Sequence, residues 1–152
     1  MNHIGTNKGR AVFYQRHNKN DNWSKDFPKE NWLLFVIIKS KDETELSEIS
    51  TKAIENNACY VCCSGPNCEL LHDTVDYDIV IREIENLYLP PFTIMTSWND
   101  NFEEQFWFSM YVAQNDPEII NTIVCLDASM NSLERELEEL LKRFNKGYIP
   151  PL

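Results

Sequence analysis

Thiols, imidazoles and carboxylates are the side chains of this sequence whose spacing invites chemistry. Cys63, Cys68 and His72 follow one another as Cys-x4-Cys-x3-His, with Cys59 and Cys62 just upstream. Thiolates and an imidazole are the ligands that tetrahedral zinc takes, so these three are the candidate metal set. The spacing matches no standard zinc finger. On a strand, Cys59 and Cys63 share one face while Cys62 points to the other. Burial as small hydrophobes is therefore the weightier reading for Cys59, Cys62, Cys63 and Cys125, and no metal is expected. Cys68 reads as the first residue of a helix, its thiolate favoured by the helix dipole and opposed by Glu69 and Asp73. Five cysteines, an odd count, behind an N-terminus with no signal-peptide core predict a reducing, cytoplasmic setting without disulfides. His3 and His17 fall in a polar leader and read as solvated.

Several chemistries are excluded by what is missing. The four glycines form neither a G-x-G-x-x-G turn nor a G-x-x-x-x-G-K-[ST] phosphate loop, and no cofactor is expected. A G-x-S-x-G elbow is absent, and the run from Cys63 to Cys68 lacks the arginine that a phosphate-binding cysteine loop requires. A third strand ending in Thr96-Ser97-Trp98 lacks the aspartate of a phosphoacceptor receiver.

The elements that must position any site follow from hydrophobic periodicity. Trp32 to Ile38 is a continuous apolar run, the pattern of a strand covered on both faces. Asp42 to Glu45 opens a helix carrying Leu46, Ile49, Ala53 and Ile54, and Ala58 to Cys63 is a second buried strand ended by Ser64-Gly65-Pro66-Asn67. A second helix is predicted from Asp73 to Asn86, with Tyr77, Val80, Ile81, Ile84, Leu87 and Tyr88 on one face. Phe92 to Thr96 is the third strand, Phe102 to Gln114 an aromatic third helix, Ile119 to Leu126 the fourth strand. Leu133, Leu137, Leu140, Leu141 and Phe144 stripe a fourth helix ended by Gly147. Alternating strands and helices predict an α/β three-layer sandwich, Rossmann-like or flavodoxin-like. Its four-stranded, mainly parallel sheet would have the order 2-1-3-4 and helices on both faces.

In such a sheet ligands bind beyond the carboxyl ends of the strands, where connections diverge. Asp42, Ser64, Asn67 and Asp127 are the candidate crevice residues, with Asp100 nearby. A small metal- or nucleotide-dependent enzyme, or a ligand sensor, would use them, since divalent cations such as Mg²⁺ prefer carboxylate oxygens. The segment from Trp98 to Glu118 is the more unusual feature, because it holds five acids, no Lys or Arg, and Trp98, Phe102, Phe106, Trp107, Phe108 and Tyr111. Large aromatics bordered by carboxylates suit a protein-binding hot spot facing a basic partner, and Trp98, Asp100, Glu103, Glu104, Trp107 and Tyr111 are its candidates. The alternative is a buried third helix whose second face is covered by Trp23, Phe27 or Trp32.

Charge supports a binding surface. The chain of 152 residues has a net charge of −10, but residues 1–41 carry eight basic and three acidic side chains, leaving the remainder at −15. Nucleic acid is not an expected partner, because phosphate contacts need Lys and Arg. No apolar run approaches the roughly 18 residues of a membrane span. Residues 1–30 read as a basic, partly disordered leader, with residues 1–10 a mobile arm, packing on a single α/β domain at 31–152.

The stretch Phe92-Thr93-Ile94-Met95-Thr96-Ser97-Trp98-Asn99-Asp100, leading into Glu103-Glu104-Gln105-Phe106-Trp107-Phe108, resembles a motif in a family of small uncharacterised bacterial proteins. There a strand ends in Thr-x-Trp followed by a polar and an acidic residue. The resemblance spans residues 32–130 and implies a bacterial origin and an α/β fold, with no activity attached. The chain thus reads as a non-catalytic acidic binding module. An immunity or antitoxin protein, or an accessory protein of a bacterial conflict system, would have this character, and a homodimer through the third helix is the other expected assembly.

Overall fold

The computed structural model describes residues 1–151 and contains six strands and four helices. In chain order these are β1 (Asn2–Asn7), β2 (Arg10–Arg16), β3 (Trp32–Ile38), α1 (Glu43–Glu55), β4 (Tyr60–Ser64), α2 (Cys68–Ile84), β5 (Met95–Asn99), α3 (Phe102–Tyr111), β6 (Thr122–Ala128) and α4 (Glu134–Asn145). The sheet order is β1-β2-β6-β3-β4-β5, parallel throughout except for the antiparallel β1–β2 pair. Two core layers flank it. Trp32, Leu34 and Val36 face α1 and α2, while Leu33 and Phe35 face α3 and α4, which is why every residue of β3 is buried. Among the described residues no helix is long and apolar enough to cross a membrane.

The α/β class and the mainly parallel sheet agree with the sequence, whereas the strand order does not. The expected 2-1-3-4 arrangement is replaced: the fourth predicted strand, β6, pairs with the first, β3, on the side away from β4, and the third lies at the far edge. Periodicity says that a strand is covered, not which edge it joins, and all of Ile123–Ala128 is buried because β6 has neighbours on both sides.

The leader supplies the missing neighbour. Lys8 and Gly9 take φ values of 48° and 79°, the two positive values that a two-residue hairpin turn requires, and Asn7 pairs with Arg10 across it. Residues 2–7, expected as an arm, are therefore a strand, and β2 lies along β6. Arg10 then donates to the carbonyls of Ser109 at 2.5 Å and Ala113 at 2.6 Å. It satisfies the C-terminal end of α3, whose last turn has no basic residue of its own. Between β2 and β3, Trp23 and Phe27 are buried against Trp32, with ring centroids 5.6 and 5.2 Å apart in turn.

Two boundaries move in ways that matter for function. The third strand begins at Met95, so Ser97, Trp98 and Asn99, expected as a loop, are edge-strand residues. Helix α2 begins at Cys68 and packs through Cys68, Leu71 and Val75, so the face predicted to meet the core is turned outward.

The turn between β4 and α2 is held against the end of β3. Gly65 has φ +93°, and a Cβ placed there would lie 2.5 Å from the carbonyl oxygen of Ile38. Gly65→Ala is expected to cost about 3 kcal/mol in urea unfolding, combining left-handed backbone strain with displacement of a buried carbonyl.

Candidate functional site

Helix α1 follows β3 on one face and α4 follows β6 on the other, so the connections diverge between these neighbouring strands. Their carboxyl ends, with that of β2, form the crevice where open parallel sheets bind ligands. The crevice residues expected from sequence are mostly engaged there in holding the fold. Asp127 is buried and saturated: Oδ2 accepts from the Tyr14 hydroxyl at 2.5 Å and the Leu133 amide at 2.8 Å, and Oδ1 from the amide and hydroxyl of Ser129 at 3.0 and 2.5 Å. Burial, reinforced by that hydrogen bond, pushes the Tyr14 phenol up to about 12. Asp42 caps α1 by accepting from the Thr44 amide at 2.9 Å. The Asn67 side chain donates to the Lys39 carbonyl, and Ser64 is fully buried at the end of β4, its hydroxyl without a partner among the described residues. Asp100 lies apart, beyond the edge strand.

Sequence reasoning missed His17. The ladder between β2 and β6 continues past Arg16, the His17 amide donating to the Asp127 carbonyl at 3.0 Å, and this draws the imidazole inward. Its side chain is only 5% exposed, its ring centred 5.0 Å from that of Trp23 and tilted against it, with Nδ1 3.4 Å from Glu45 Oε1 and Nε2 without a partner among the described residues. A polar leader carries no periodic signal for such burial. Burial lowers the His17 pKa and outweighs the upward pull of Glu45 and Glu48, while Lys19 adds to the lowering. The folded state thus takes up the proton after the unfolded chain does, so its stability is full above about pH 6.5 and falls as the pH drops below that. Urea unfolding between pH 7.5 and 5 is expected to show this slope in the native chain, and His17→Gln is expected to flatten it.

The five cysteines are free and buried. Burial is the first cause pushing up the thiols of Cys59, Cys62, Cys63, Cys68 and Cys125, with Cys62 reaching about 12. At Cys68, desolvation overrides the helix dipole. His72 faces Asp73 at 3.1 Å and Asp76 at 3.4 Å, and among the described residues no three His, Cys, Asp or Glu side chains converge on a metal position.

The aromatic residues of α3 are mostly packed. Phe106 lies between Phe35 and Phe144, at 5.0 and 5.7 Å between centroids. Trp107 and Tyr111 are half-buried, 5.2 Å apart, and the Tyr111 hydroxyl accepts from Asn7 at 2.8 Å and donates to the Phe144 carbonyl at 3.2 Å. Glu103 accepts from the Tyr148 hydroxyl at 3.0 Å and Glu104 from the Asn99 side-chain Nδ2 at 2.8 Å. The second face of α3 is thus covered by β1, α4 and Tyr148, while Trp23, Phe27 and Trp32 lie in the opposite core layer. Trp98 and Asp100 are exposed but stand on and beyond β5.

Exposed apolar surface is concentrated on α2 and β5. Among the described residues, eight of the twelve large hydrophobic side chains that stand exposed fall between Leu70 and Trp98. Leu70, Tyr77 and Ile84 recur every seventh residue at 45%, 68% and 70% exposure, with Val80 between the last two at 50%. Immediately before each member stand Glu69, Asp76 and Glu83, a parallel row of acids. Thr96 of β5 donates to Asp76 at 2.8 Å, so this acidic row lies on the side of the sheet edge. The only basic residue of α2, Arg82, is turned to Asp78 at 3.1 Å and Glu55 at 3.9 Å.

No curated protein and no solved structure matches the chain. Residues 10–144 match the family described as "Domain of unknown function (DUF7684)", from the start of β2 to the last turn of α4. The chain belongs to that family.

Proposed function

We propose that this protein is a non-catalytic binding module whose docking element is the outward face of α2, and that its partner presents a basic amphipathic helix. The observation that carries the reading is the spacing of Leu70, Tyr77 and Ile84, flanked by Glu69, Asp76 and Glu83. Apolar residues at the first and fourth places of a seven-residue repeat form the seam of a two-helix contact; Val80 takes the fourth place of the second repeat, while Asp73 stands at that of the first and Leu87 lies just beyond the end of α2. Flanking charges in such a contact choose the partner. Here they are all acidic, so a helix with Lys or Arg beside its own apolar seam is the complement.

A second copy of the chain is a poor occupant. An antiparallel pair of α2 helices would set the acidic row against itself, and a parallel pair would set it against Thr74 and Ile81, which carry no charge. The acidic body argues in the same direction, because electrostatic steering draws basic partners and repels copies. The arrangement suits an immunity or antitoxin-like protein, or an accessory protein of a bacterial conflict system, acting in the cytoplasm where its free thiols stay reduced. Catalysis by Asp42, Ser64, Asn67 and Asp127 is the lesser reading, since Asp127 has its oxygens committed to neighbours and Asp42 caps a helix.

The test is a titration with synthetic three-heptad helices that share a leucine seam. A helix with lysine flanks is expected to bind with a Kd of about 10 μM at low salt and to weaken as salt is raised, while one with glutamate flanks does not bind. Equal binding of the two helices, or binding of neither, overturns the proposal.

A further inference from the structure

A second site, separate from α2, lies in the crevice at the carboxyl ends of β2, β3 and β6. Arg16, His17, Lys19, Ser40, Glu45 and Met130 surround a cleft of ≈ 540 Å³ there, within the size range of small-molecule sites. Its walls come from three separate segments: the residues that continue β2, the β3–α1 connection with the first turn of α1, and the loop after β6. The cleft thus sits at the divergence point derived above, and its chemistry is opposite in sign to the body of the protein.

Four observations define what would enter it. Arg16 is exposed and forms no ion pair among the described residues, although the chain holds 24 acids against 14 bases. Lys19 has only a loose contact, 3.8 Å from Asp42 Oδ2, with both side chains well exposed, so an incoming anion can compete for it. Ser40 accepts from the Asp42 amide at 2.9 Å, which leaves its own hydroxyl proton free to donate. Beside these cations His17 Nε2 has no partner among the described residues, while Nδ1 faces Glu45. A buried ring nitrogen without a partner is costly, and a ligand or a water satisfies it.

We propose that this cleft binds a small phosphate-bearing molecule, its phosphate held by Arg16 and Lys19 with the Ser40 hydroxyl and the His17 imidazole as further donors. The charged groups that act on the imidazole are Glu45 and Glu48 of α1 and Lys19 of its own loop. Of these, Glu45 is the carboxylate at contact distance. Binding takes one proton from solvent onto His17 Nε2, so that Nδ1–H stays with Glu45 and Nε2–H faces the phosphate. A guanidinium matches phosphate oxygens bidentately, which makes Arg16 the residue on which affinity depends most. The volume exceeds that of a bare ion, and the Asn18, Asn20 and Met130 walls leave room for an organic group.

The experiment titrates the full chain at low salt with inorganic phosphate, ribose 5-phosphate and ribose, read by amide and imidazole nitrogen NMR. Inorganic phosphate is expected to bind with a Kd on the order of 1 mM and ribose 5-phosphate about tenfold more tightly, with no response to ribose. The His17 Nε2 resonance moves from the unprotonated to the protonated range on saturation. Arg16→Gln and Lys19→Gln, both exposed and neutral to folding, each weaken phosphate binding about tenfold, whereas Lys146→Gln, far from the cleft, does not. Equal binding of ribose and ribose 5-phosphate overturns the proposal, as does absence of binding at about 10 mM phosphate or an Arg16→Gln variant with native affinity.

Discussion

Asp127→Ala is expected to cost about 4 kcal/mol of folding stability, a large share of the net stability of about 5–15 kcal/mol that a domain possesses. The substitution strands the buried Tyr14 hydroxyl and the partly buried amides of Leu133 and Ser129. Each buried donor left without an acceptor costs about 1–3 kcal/mol, and the sum is less than additive because the loop can relax. Tyr14→Phe removes one of these bonds without stranding an amide and is expected to cost about 1 kcal/mol. Urea unfolding of the two single variants and the double variant measures the coupling. Asp127→Asn keeps the shape but turns a donor toward donors, so it too is expected to destabilise the fold. A carboxylate kept only for ligand binding would tolerate that replacement with unchanged stability. The measurement therefore separates a strut of the β6–α4 connection from a ligand group, and the geometry predicts the strut.

The reading of Asp127 as a crevice ligand shows how far sequence inference reaches. Its position at the carboxyl end of a buried strand was legible, because Ile123 to Leu126 is apolar throughout and the acid ends that run. The four partners that consume its oxygens were not, since Tyr14 lies 113 residues away in a leader that reads as polar. The same distance hides β2 beside β6: Ala11 to Tyr14 hints at a strand, but register and edge are tertiary facts. Four helices and β3, β4 and β6 were legible because periods of 3.6 and continuous apolar runs need no partner to be recognised. Helix α2 illustrates the limit of that signal. Two apolar stripes lie on it, and periodicity alone cannot say that Leu71 and Val75 face the sheet while Tyr77 and Ile84 face outward.

That reversal also redistributes the charge argument. The sequence places acids and aromatics together on α3, yet there Glu103 and Glu104 accept hydrogen bonds from neighbours and Tyr111 is wedged against Asn7 and Phe144. On α2 the acids Glu69 and Glu83 are exposed beside exposed apolar side chains. The basic leader, in turn, does not blanket the acidic body. It spends Arg10 on the end of α3 and brings Arg16 and Lys19 to the crevice at the opposite end of β2. Opposite charges thus occupy different sites, each available to a ligand of the other sign.

Tyr77→Lys combined with Ile84→Lys is expected to abolish binding of the lysine-flanked helix, by about 100-fold or more, while changing folding stability by no more than about 0.5 kcal/mol. The separation of the two effects follows from exposure: at 68% and 70% these side chains contribute little to the core, but they are the centre and end of the seam. Removing charge instead of surface has a different signature. Glu69→Gln with Glu83→Gln leaves the seam intact and spares Asp76, which accepts from Thr96. Affinity is then expected to fall about tenfold at low salt and to approach the native value at high salt, where the native contact is itself screened. Fluorescence anisotropy at two salt concentrations, alongside urea unfolding of each variant, distinguishes the cases. If Tyr77→Lys and Ile84→Lys unfolded the chain, the stripe would be holding the fold together. If they left binding unchanged, the helix would be docking elsewhere on the acidic surface. A variant that folds normally and no longer binds is the outcome required of a face whose apolar residues stand exposed and in register.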